Sequence, residues 1–441
     1  MWWPWPTGGP TSVRWVTDLI DDLAWRGLVH QSTDLEALRQ HLATPGRSVY
    51  CGFDPTADSL TIGNLLPMTL LARFRADGHR PVVLLGGATG QIGDPSFKSD
   101  ERVMLDPEAA EANAARHRRT IGDFLATVDG PDPLFVDNLD WLGPMSLVAY
   151  LRDVGKHFSV NDLLRRDSIR SRIEGREQGI SYTEFSYALL QAYDYLHLFS
   201  SNDVTVQVGA SDQWGNIVGG VDLVRRVRGG HVHALTCPLV TKSDGTKFGK
   251  SESGAVWLSA DRTSPYALYQ FLVNLDDDLV TTFLRFYSLQ PHHEIEEIEA
   301  AHTADPGART AQRASAAELT ARLHGREALI RAEHTSEALF RGDVGSLDAG
   351  QLADAIADVP TTGVTSGQLA DGVDVVDLLV ATGLAPSKGQ ARRFVAEGAV
   401  SVNGERFDGS RPVGDGDLLH GKVVLIRRGK RNWGAAHLTA G

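Results

Sequence analysis

The spacing of apolar residues changes character along this chain. From Val16 they recur at helical intervals (Leu19, Ile20, Leu23, Ala24, Leu28), and up to about residue 240 short apolar runs then alternate with helical stretches. Ser48–Phe53 reads as a short strand and 63–76 as a helix. Residues 81–85 (PVVLL), 134–138 and 204–208 read as further buried strands. Such alternation predicts an α/β fold, a parallel sheet with helices on its faces. Ligands then bind beyond the carboxyl ends of the strands, where the loops gather. From about Ser264 the pattern becomes helical, with long amphipathic segments at 264–287 and 308–341 and a loop around Asp305-Pro306-Gly307. The Pro/Thr/Gly-rich stretch 359–367 reads as a linker. Beyond it come a helix at 373–382, a basic helix at 387–397, and Asn403-Gly404 between alternating apolar residues, a hairpin signal.

Composition narrows this picture. A chain of 441 residues suits two or three domains. No apolar run is long enough for a membrane span. Cys51 and Cys237 offer neither a disulfide framework nor a thiolate metal site, so a reducing, cytoplasmic setting is expected. The close histidine pairs, His231/His233 and His292/His293, have no Cys or carboxylate companions at ligand spacing, and no metal site is expected. Residues 1–15, rich in Trp, Pro and Gly, lack the basic and apolar regions of a secretory signal. They are expected to be a disordered extension, or to precede a true start near Val16.

The net charge of −13 argues against a nucleic-acid binder, but its distribution reverses that. From Leu384 onward ten basic residues face five acidic ones, so a +5 tail follows a −18 body. This is the footprint of a polyanion-binding module.

Lysine is scarce: 8 of the 43 basic side chains, yet Lys242, Lys247 and Lys250 fall in one Gly-punctuated loop. Mobile ammonium groups there suit a polyphosphate whose charge shifts during reaction, whereas one such loop alone reads as solvated surface. In the helical stretch 181–197, Ser181 and Glu184 have capping-box spacing. Tyr187, Gln191 and Asp194 share the face opposite Phe185, Leu189, Ala192 and Leu196. That stripe reads either as solvated or as the floor of a pocket offering a phenol, an amide and a carboxylate. Between Tyr50 and Asn64, small and polar residues lead into a helix N-terminus, which serves as a plain cap or as a phosphate seat. Gly86-Gly87-Ala88-Thr89-Gly90-Gln91-Ile92-Gly93 matches a dinucleotide-binding glycine pattern. Against that stand Asp94-Pro95 directly after it, its late position in the chain, and the lack of any Tyr-x-x-x-Lys couple.

Taken together, YCGFDPTADSL, GGATGQIGDPS, SYTEFSYALLQAYD, VQVGASDQWGNI and TKSDGTKFGKSESG resemble a bacterial-type tyrosyl-tRNA synthetase, a class I aminoacyl-tRNA synthetase. The resemblance runs from about Thr17 to Trp433 and includes ALFRGD at 338–343. It implies a Rossmann-like parallel-sheet catalytic domain (16–258), an α-helical anticodon-region domain (259–358) and a small α+β S4-like RNA-binding domain (365–441). By resemblance, Tyr50 and Asp194 hold the phenol hydroxyl of tyrosine, and Asp94, Tyr187 and Gln191 its ammonium. Cys51, Asp54, Gly63, Gly209, Asp212, Gln213 and Lys250 position ATP and the adenylate. Thr56, Lys98, Arg102, Lys247 and Lys250 meet the pyrophosphate, with Thr61 and Asn64 beside them. Lys388, Arg392, Arg393, Arg427 and Arg428 contact tRNA.

The partners implied are tRNA(Tyr), L-tyrosine, ATP with Mg²⁺, and a second copy of the chain, with no membrane. Removal of 365–441 is expected to spare ATP–pyrophosphate exchange and cripple charging. One departure stands out: the family signature His-x-Gly-His is here Thr61-Ile62-Gly63-Asn64, so activation is expected to be slowed but not abolished. Two other readings remain: an NAD-dependent epimerase or reductase built on GATGQIG, and a catalytically decayed RNA-binding paralogue.

Overall fold

The computed structural model describes residues 18–94, 105–165, 169–170, 173, 180–240, 248–251, 254–357, 359–429 and 432–439. Residues 1–15, Lys98, Arg102 and Lys247 lie outside this set, as does the side chain of Lys250. Packing divides the chain into two compact units: residues 1–262 with 274–323, and residues 263–273 with 324–441.

Among the described residues the first unit is built on a six-stranded sheet: β1 Gln31–Ser32, β2 Ser48–Phe53, β3 Arg80–Leu85, β4 Leu134–Asp137, β5 Val204–Ala210 and β6 His233–Cys237. Their order is β1-β6-β5-β2-β3-β4. The pairs β2/β3, β2/β5, β3/β4 and β5/β6 are parallel, as the alternating pattern predicts, and only β1 on β6 is antiparallel. The chain runs outward from β2 through β3 to β4, then crosses back to β5 and β6. The order therefore reverses between β2 and β5, where the carboxyl-end loops splay apart and leave room for a ligand. The helix Ile62–Ala76 follows β2, and the helix Tyr182–Asn202 leads into β5. Ser181 caps the latter, its Oγ accepting from the Glu184 amide at 3.2 Å.

The helical region is more broken than its periodicity predicts. Residues 264–287 form two helices, Pro265–Val273 and Asp277–Tyr287, which belong to different units. Residues 308–341 form Thr310–His324 and Arg326–Arg341, interrupted at Gly325, whose φ of +87° a helix cannot accommodate. A further helix, His292–Ala304, fills what the pattern left as connection.

After two short strands, β7 Lys250–Ser251 and β8 Gly254–Ala255, the second unit carries β9 Thr361–Thr365, β10 Val400–Val402, β11 Glu405–Arg406, β12 Val423–Arg428 and β13 Asn432–Thr439. Their order is β11-β10-β12-β13-β9. The stretch expected as linker thus holds a strand, β9, paired in parallel with β13. The Asn-Gly hairpin forms, with φ of +50° at Asn403 and +86° at Gly404. One sheet face (Val424, Ile426, Ala436) packs on Leu378, Leu379 and Ala391. The other (Val423, Leu425, Ala435) covers Ala338, Val344, Leu347, Leu352 and Ile356. Among the described residues no helix is long and apolar enough to cross a membrane.

Candidate active site

At the switch point lies a cavity of about 500 Å³. It is lined by Tyr50, Cys51, Asp54, Thr56, Thr61, Gly63, Asn64, Asp94, Tyr187, Gln191, Asp194, Gly209, Asp212 and Gln213, so every described residue expected to bind tyrosine or nucleotide, apart from Lys250, reaches one wall of it. The polar stripe of the 182–202 helix is therefore buried rather than solvated: Tyr187 is 5 % exposed and Asp194 1 %.

Asp194 sits at the closed end. Its Oδ1 accepts from Trp141 Nε1 at 2.8 Å and its Oδ2 from Asn138 Nδ2 at 3.1 Å. Burial raises its carboxyl to about 8, against these two donors, which pull the other way. Tyr50 is fully buried; burial and the nearby Asp194 push its phenol well above the usual tyrosine range. Among the described residues its hydroxyl has no hydrogen-bond partner, and neither do Oε1 of Gln191 and Oε1 of Gln207. Buried polar atoms left unpaired are costly unless a ligand completes them. Here all three residues line one cavity.

The middle of the cavity is a linked set of acids and amides. Tyr187 Oη donates to Asp54 Oδ2 at 2.7 Å, and Thr89 Oγ1 donates to Asp54 Oδ1 at 2.7 Å. Gln213 Nε2 donates to Asp94 Oδ2 at 2.7 Å, and Asn216 supports Gln213. Two groups expected to serve the nucleotide, Asp54 and Gln213, are thus bonded to groups expected to serve the ammonium. Burial first, then Asp54 and Asp94, raises the Tyr187 phenol, so it stays neutral.

At the helix N-terminus, Asn64 Oδ1 accepts from both the backbone N–H and the hydroxyl of Thr61, each at 3.0 Å. A backbone N–H only donates, so the oxygen end of the amide must face it. The amide nitrogen of Asn64 is thereby turned the other way, with two N–H donors to offer. The glycine run after β3 does not make a dinucleotide loop: its helix spans only Thr89–Ile92 and stops at Gly93, whose φ is +88°. Its glycines are required by neighbours. A Cβ on Gly90 would lie 2.8 Å from Pro55 Cδ, and one on Gly87 would overlap the Asp137 carboxylate.

Thr89, Asn138, Trp141 and Gln207 were not singled out by sequence reasoning. Asn138 and Trp141 follow a strand's carboxyl end, a usable signal; Gln207 interrupts an apolar strand, a weaker one.

A family model described as tRNA synthetases class I (W and Y) matches residues 44–341, and one for the tyrosine–tRNA ligase SYY-like C-terminal domain matches 351–435. The tyrosine–tRNA ligase of Thermobifida fusca is 47 % identical over 435 residues, 96 % of this chain and 100 % of that protein. The chain belongs to the tyrosyl-tRNA synthetase family. The tyrosine–tRNA ligase of Nocardia farcinica is 50 % identical over 94 % of this chain and 97 % of its own. Among solved structures, a C-terminally truncated mitochondrial tyrosyl-tRNA synthetase of Aspergillus nidulans aligns with TM-score 0.67 and 31 % identity, over 74 % of this chain and 94 % of that one.

The family's C-terminal domain is where the basic residues lie, but they do not form one cluster. Lys388 pairs with Asp377 at 2.5 Å and Arg393 with Glu397 at 2.7 Å. Arg428 stacks on Phe394 and donates to Leu384 O, on the face that carries the basic helix Lys388–Ala396. Arg427 stacks on Trp433, and its place in β12 puts it on the opposite face. Arg392 is exposed.

Proposed function

We propose that this synthetase-family chain is a tyrosine–tRNA ligase that works in two steps. A carboxylate oxygen of L-tyrosine attacks the α-phosphorus of ATP, and the bond to the bridging oxygen breaks, releasing pyrophosphate. A ribose hydroxyl at the 3′ end of tRNA(Tyr) then attacks the carbonyl carbon of the adenylate, and AMP leaves. No protein nucleophile is needed; positioning and charge stabilisation do the work. Magnesium enters with ATP and offsets phosphate charge.

The observation that carries this reading is the closed end of the cavity. Tyr50 has a buried hydroxyl with no partner among the described residues, beside a carboxyl group whose two oxygens are oriented by Trp141 and Asn138. A phenol oxygen placed there can accept from Tyr50 and donate to Asp194. At the other side, Tyr187 Oη (its own proton on Asp54), Gln191 Oε1 and Asp94 supply three acceptors for the three N–H bonds of an α-ammonium. Cys51, Asp54, Gly63, Gly209, Asp212 and Gln213 then frame the nucleotide. Thr56, Thr61, Asn64, Lys98, Arg102, Lys247 and Lys250 meet the phosphates. Tyrosine-dependent exchange of labelled pyrophosphate into ATP tests the reading; no exchange with tyrosine, in a preparation that binds it, would overturn it.

Thr61 lacks the cationic donor of the usual histidine. Thr61→His is expected to accelerate pre-steady-state adenylate formation by about tenfold or more. An equal or slower burst would show that Thr61 is not a deficit.

We assign tRNA contact to the C-terminal domain (365–441), through Lys388, Arg392, Arg393 and Arg428 on one face and Arg427 on the other. Because its sheet covers Ala338, Leu347 and Leu352, cutting at 365 would bare that core. Arg392→Glu is the cleaner test. It should lower kcat/KM for tRNA about tenfold and flatten the salt dependence by about one phosphate contact, with pyrophosphate exchange unchanged. A homodimer belongs to this reading: exposed apolar side chains concentrate between residues 139 and 164 (Leu139, Leu147, Val148, Leu151, Val160, Leu164). A cytoplasmic setting also belongs to this reading, in keeping with the free thiols of Cys51 and Cys237.

A further inference from the structure

One buried cluster in the first unit touches no substrate. Asp22, Arg26 and Arg73 are at most 1 % exposed. Asp22 accepts from Arg26 at 2.8 Å and from Arg73 at 3.2 Å, and His292 Nε2 lies 2.6 Å from it. The two guanidinium groups do not end there. Arg26 donates to the carbonyls of Arg285 (3.2 Å), Ser288 (3.1 Å) and Gln290 (2.7 Å), and Arg73 also donates to Ser288 O. Glu318 accepts from the Ser288 hydroxyl at 2.5 Å and the Leu289 amide at 2.8 Å.

These contacts share one target, the carboxyl end of the helix Asp277–Tyr287. The last carbonyls of a helix have no partner within it. Here buried cations bond one of them, that of Arg285, and the carbonyls of Ser288 and Gln290 just past the helix end, which also suits the helix dipole. Burying two arginines merely to stop a helix is expensive, since ion pairs out of water gain little over apolar packing. What the arrangement achieves is a helix end fixed in position, with Arg73 supplied by the same helix, Ile62–Ala76, whose other end carries Thr61 to Asn64.

The pinned helix presents Phe283 and Tyr287. Their rings stack, with centroids 4.2 Å apart and planes inclined by 29°. Phe248 packs on Phe283 at 5.3 Å, and Phe248 and Tyr287 both line the active-site cavity. In sequence Phe248 stands between Lys247 and Lys250. Its neighbour Gly249 has φ +107°, and a Cβ there would come within 2.8 Å of Ile62 Cγ2. The segment that follows hydrogen-bonds to the backbone at the start of the helix Ile62–Ala76: Ile62 N donates to Val256 O at 3.0 Å and Leu258 N to Leu60 O at 2.8 Å.

We propose that Phe283 is a positioning residue for activation: an immobile aromatic seat for Phe248 that sets where the flanking lysines act on the departing pyrophosphate. This rests on the tyrosine–tRNA ligase reading for the lysines' role, but not for the seating of the loop.

The test is a double-mutant cycle with Phe248→Leu and Phe283→Leu in the full chain. Each single variant should slow the kcat of pyrophosphate exchange about five- to tenfold, leaving the Kd for tyrosine within about twofold, because the tyrosine wall is elsewhere. The double variant should be no slower than the worse single one. Phe248→Tyr, which keeps a ring at a partly exposed position, should retain nearly the wild-type rate. In both Leu variants trypsin should cut after Lys247 or Lys250 faster than in the parent chain, a readout that does not depend on catalysis. Additive losses, a parallel loss of tyrosine affinity, or unchanged cleavage would overturn the proposal. Absence of exchange in the parent chain would count against the ligase reading instead, and the cleavage comparison would still decide the seat.

Discussion

Asp194→Asn should do two opposite things at once: cripple tyrosine use and stabilise the free protein. In the tyrosine complex Asp194 works as a carboxylate, accepting the substrate phenol's hydrogen bond while its oxygens hold the donors Trp141 and Asn138. An amide in its place must turn its NH₂ group toward Trp141, Asn138 or the substrate, and each choice sets donor against donor. A buried hydrogen bond to a charged group is worth about 1.5–3 kcal/mol, so kcat/KM for tyrosine should fall about ten- to a hundredfold. Phenylalanine, which never used the carboxylate, should lose much less. The ratio of the two in pyrophosphate exchange is the measurement, and equal losses would remove Asp194 from the selectivity device.

The stability effect has a definite sign. In the free folded protein Asp194 holds its proton up to about pH 8, whereas in the unfolded chain it releases it near pH 4. Between those values the native state binds the extra proton. Stability linked to this group is therefore present below the unfolded value and lost as pH rises through the folded one. The loss is at most about 1.4 kcal/mol per pH unit within that window. Asn does not titrate. Its melting temperature should draw ahead of the parent's as pH rises from 5 to about 8, and a constant offset would show that Asp194 is ionised throughout. The group that selects the substrate is thus one the empty fold would be more stable without, a familiar exchange at functional sites.

Gly86→Ala should cost nearly as much activity by a wholly different route. Gly86 directly follows β3, its amide bonded to Phe53 O at 3.0 Å, and a Cβ built on it would overlap both Asp54 Oδ1 and Thr89 Oγ1. Those two atoms are bonded to each other at 2.7 Å, and Asp54 also holds the Tyr187 hydroxyl. The methyl group must push both of them aside. Displacing Asp54 frees the Tyr187 proton to face the substrate ammonium, donor against donor. A misplacement of about 1 Å at such a site is worth about a hundredfold in kcat/KM. The loss should appear mainly in the KM for tyrosine, with unfolding destabilised by about 1–3 kcal/mol from overpacking. A variant with normal KM would show that Asp54 serves the nucleotide alone.

Local sequence determined much of this protein. Alternating apolar periods were enough for the parallel sheet and its helices, because its central strands β2, β3 and β5 are buried along most of their length and so read as short apolar runs between helical stretches. Asn403-Gly404 specified its hairpin, since few residue pairs adopt two successive positive φ values. Five short motifs were enough for the family and for most of the cavity wall, because the groups that touch a small ligand hang from the ends of strands and the first turns of helices, and those ends are written locally. Tertiary structure alone decided the rest. Whether the stripe of Tyr187, Gln191 and Asp194 faces water or a cavity depends on what packs over it, and periodicity is the same in both cases. Asn138, Trp141 and Gln207 joined the site because strands far apart in sequence became neighbours. The glycines of 86–90 matched a dinucleotide pattern that Asp94-Pro95 already argued against, but only the packing of Asp54, Thr89, Asp137 and Pro55 against them explains why they are glycines. Arg427 and Arg428, adjacent in sequence, parted to opposite faces of one sheet because a strand turns its side chains over at every residue.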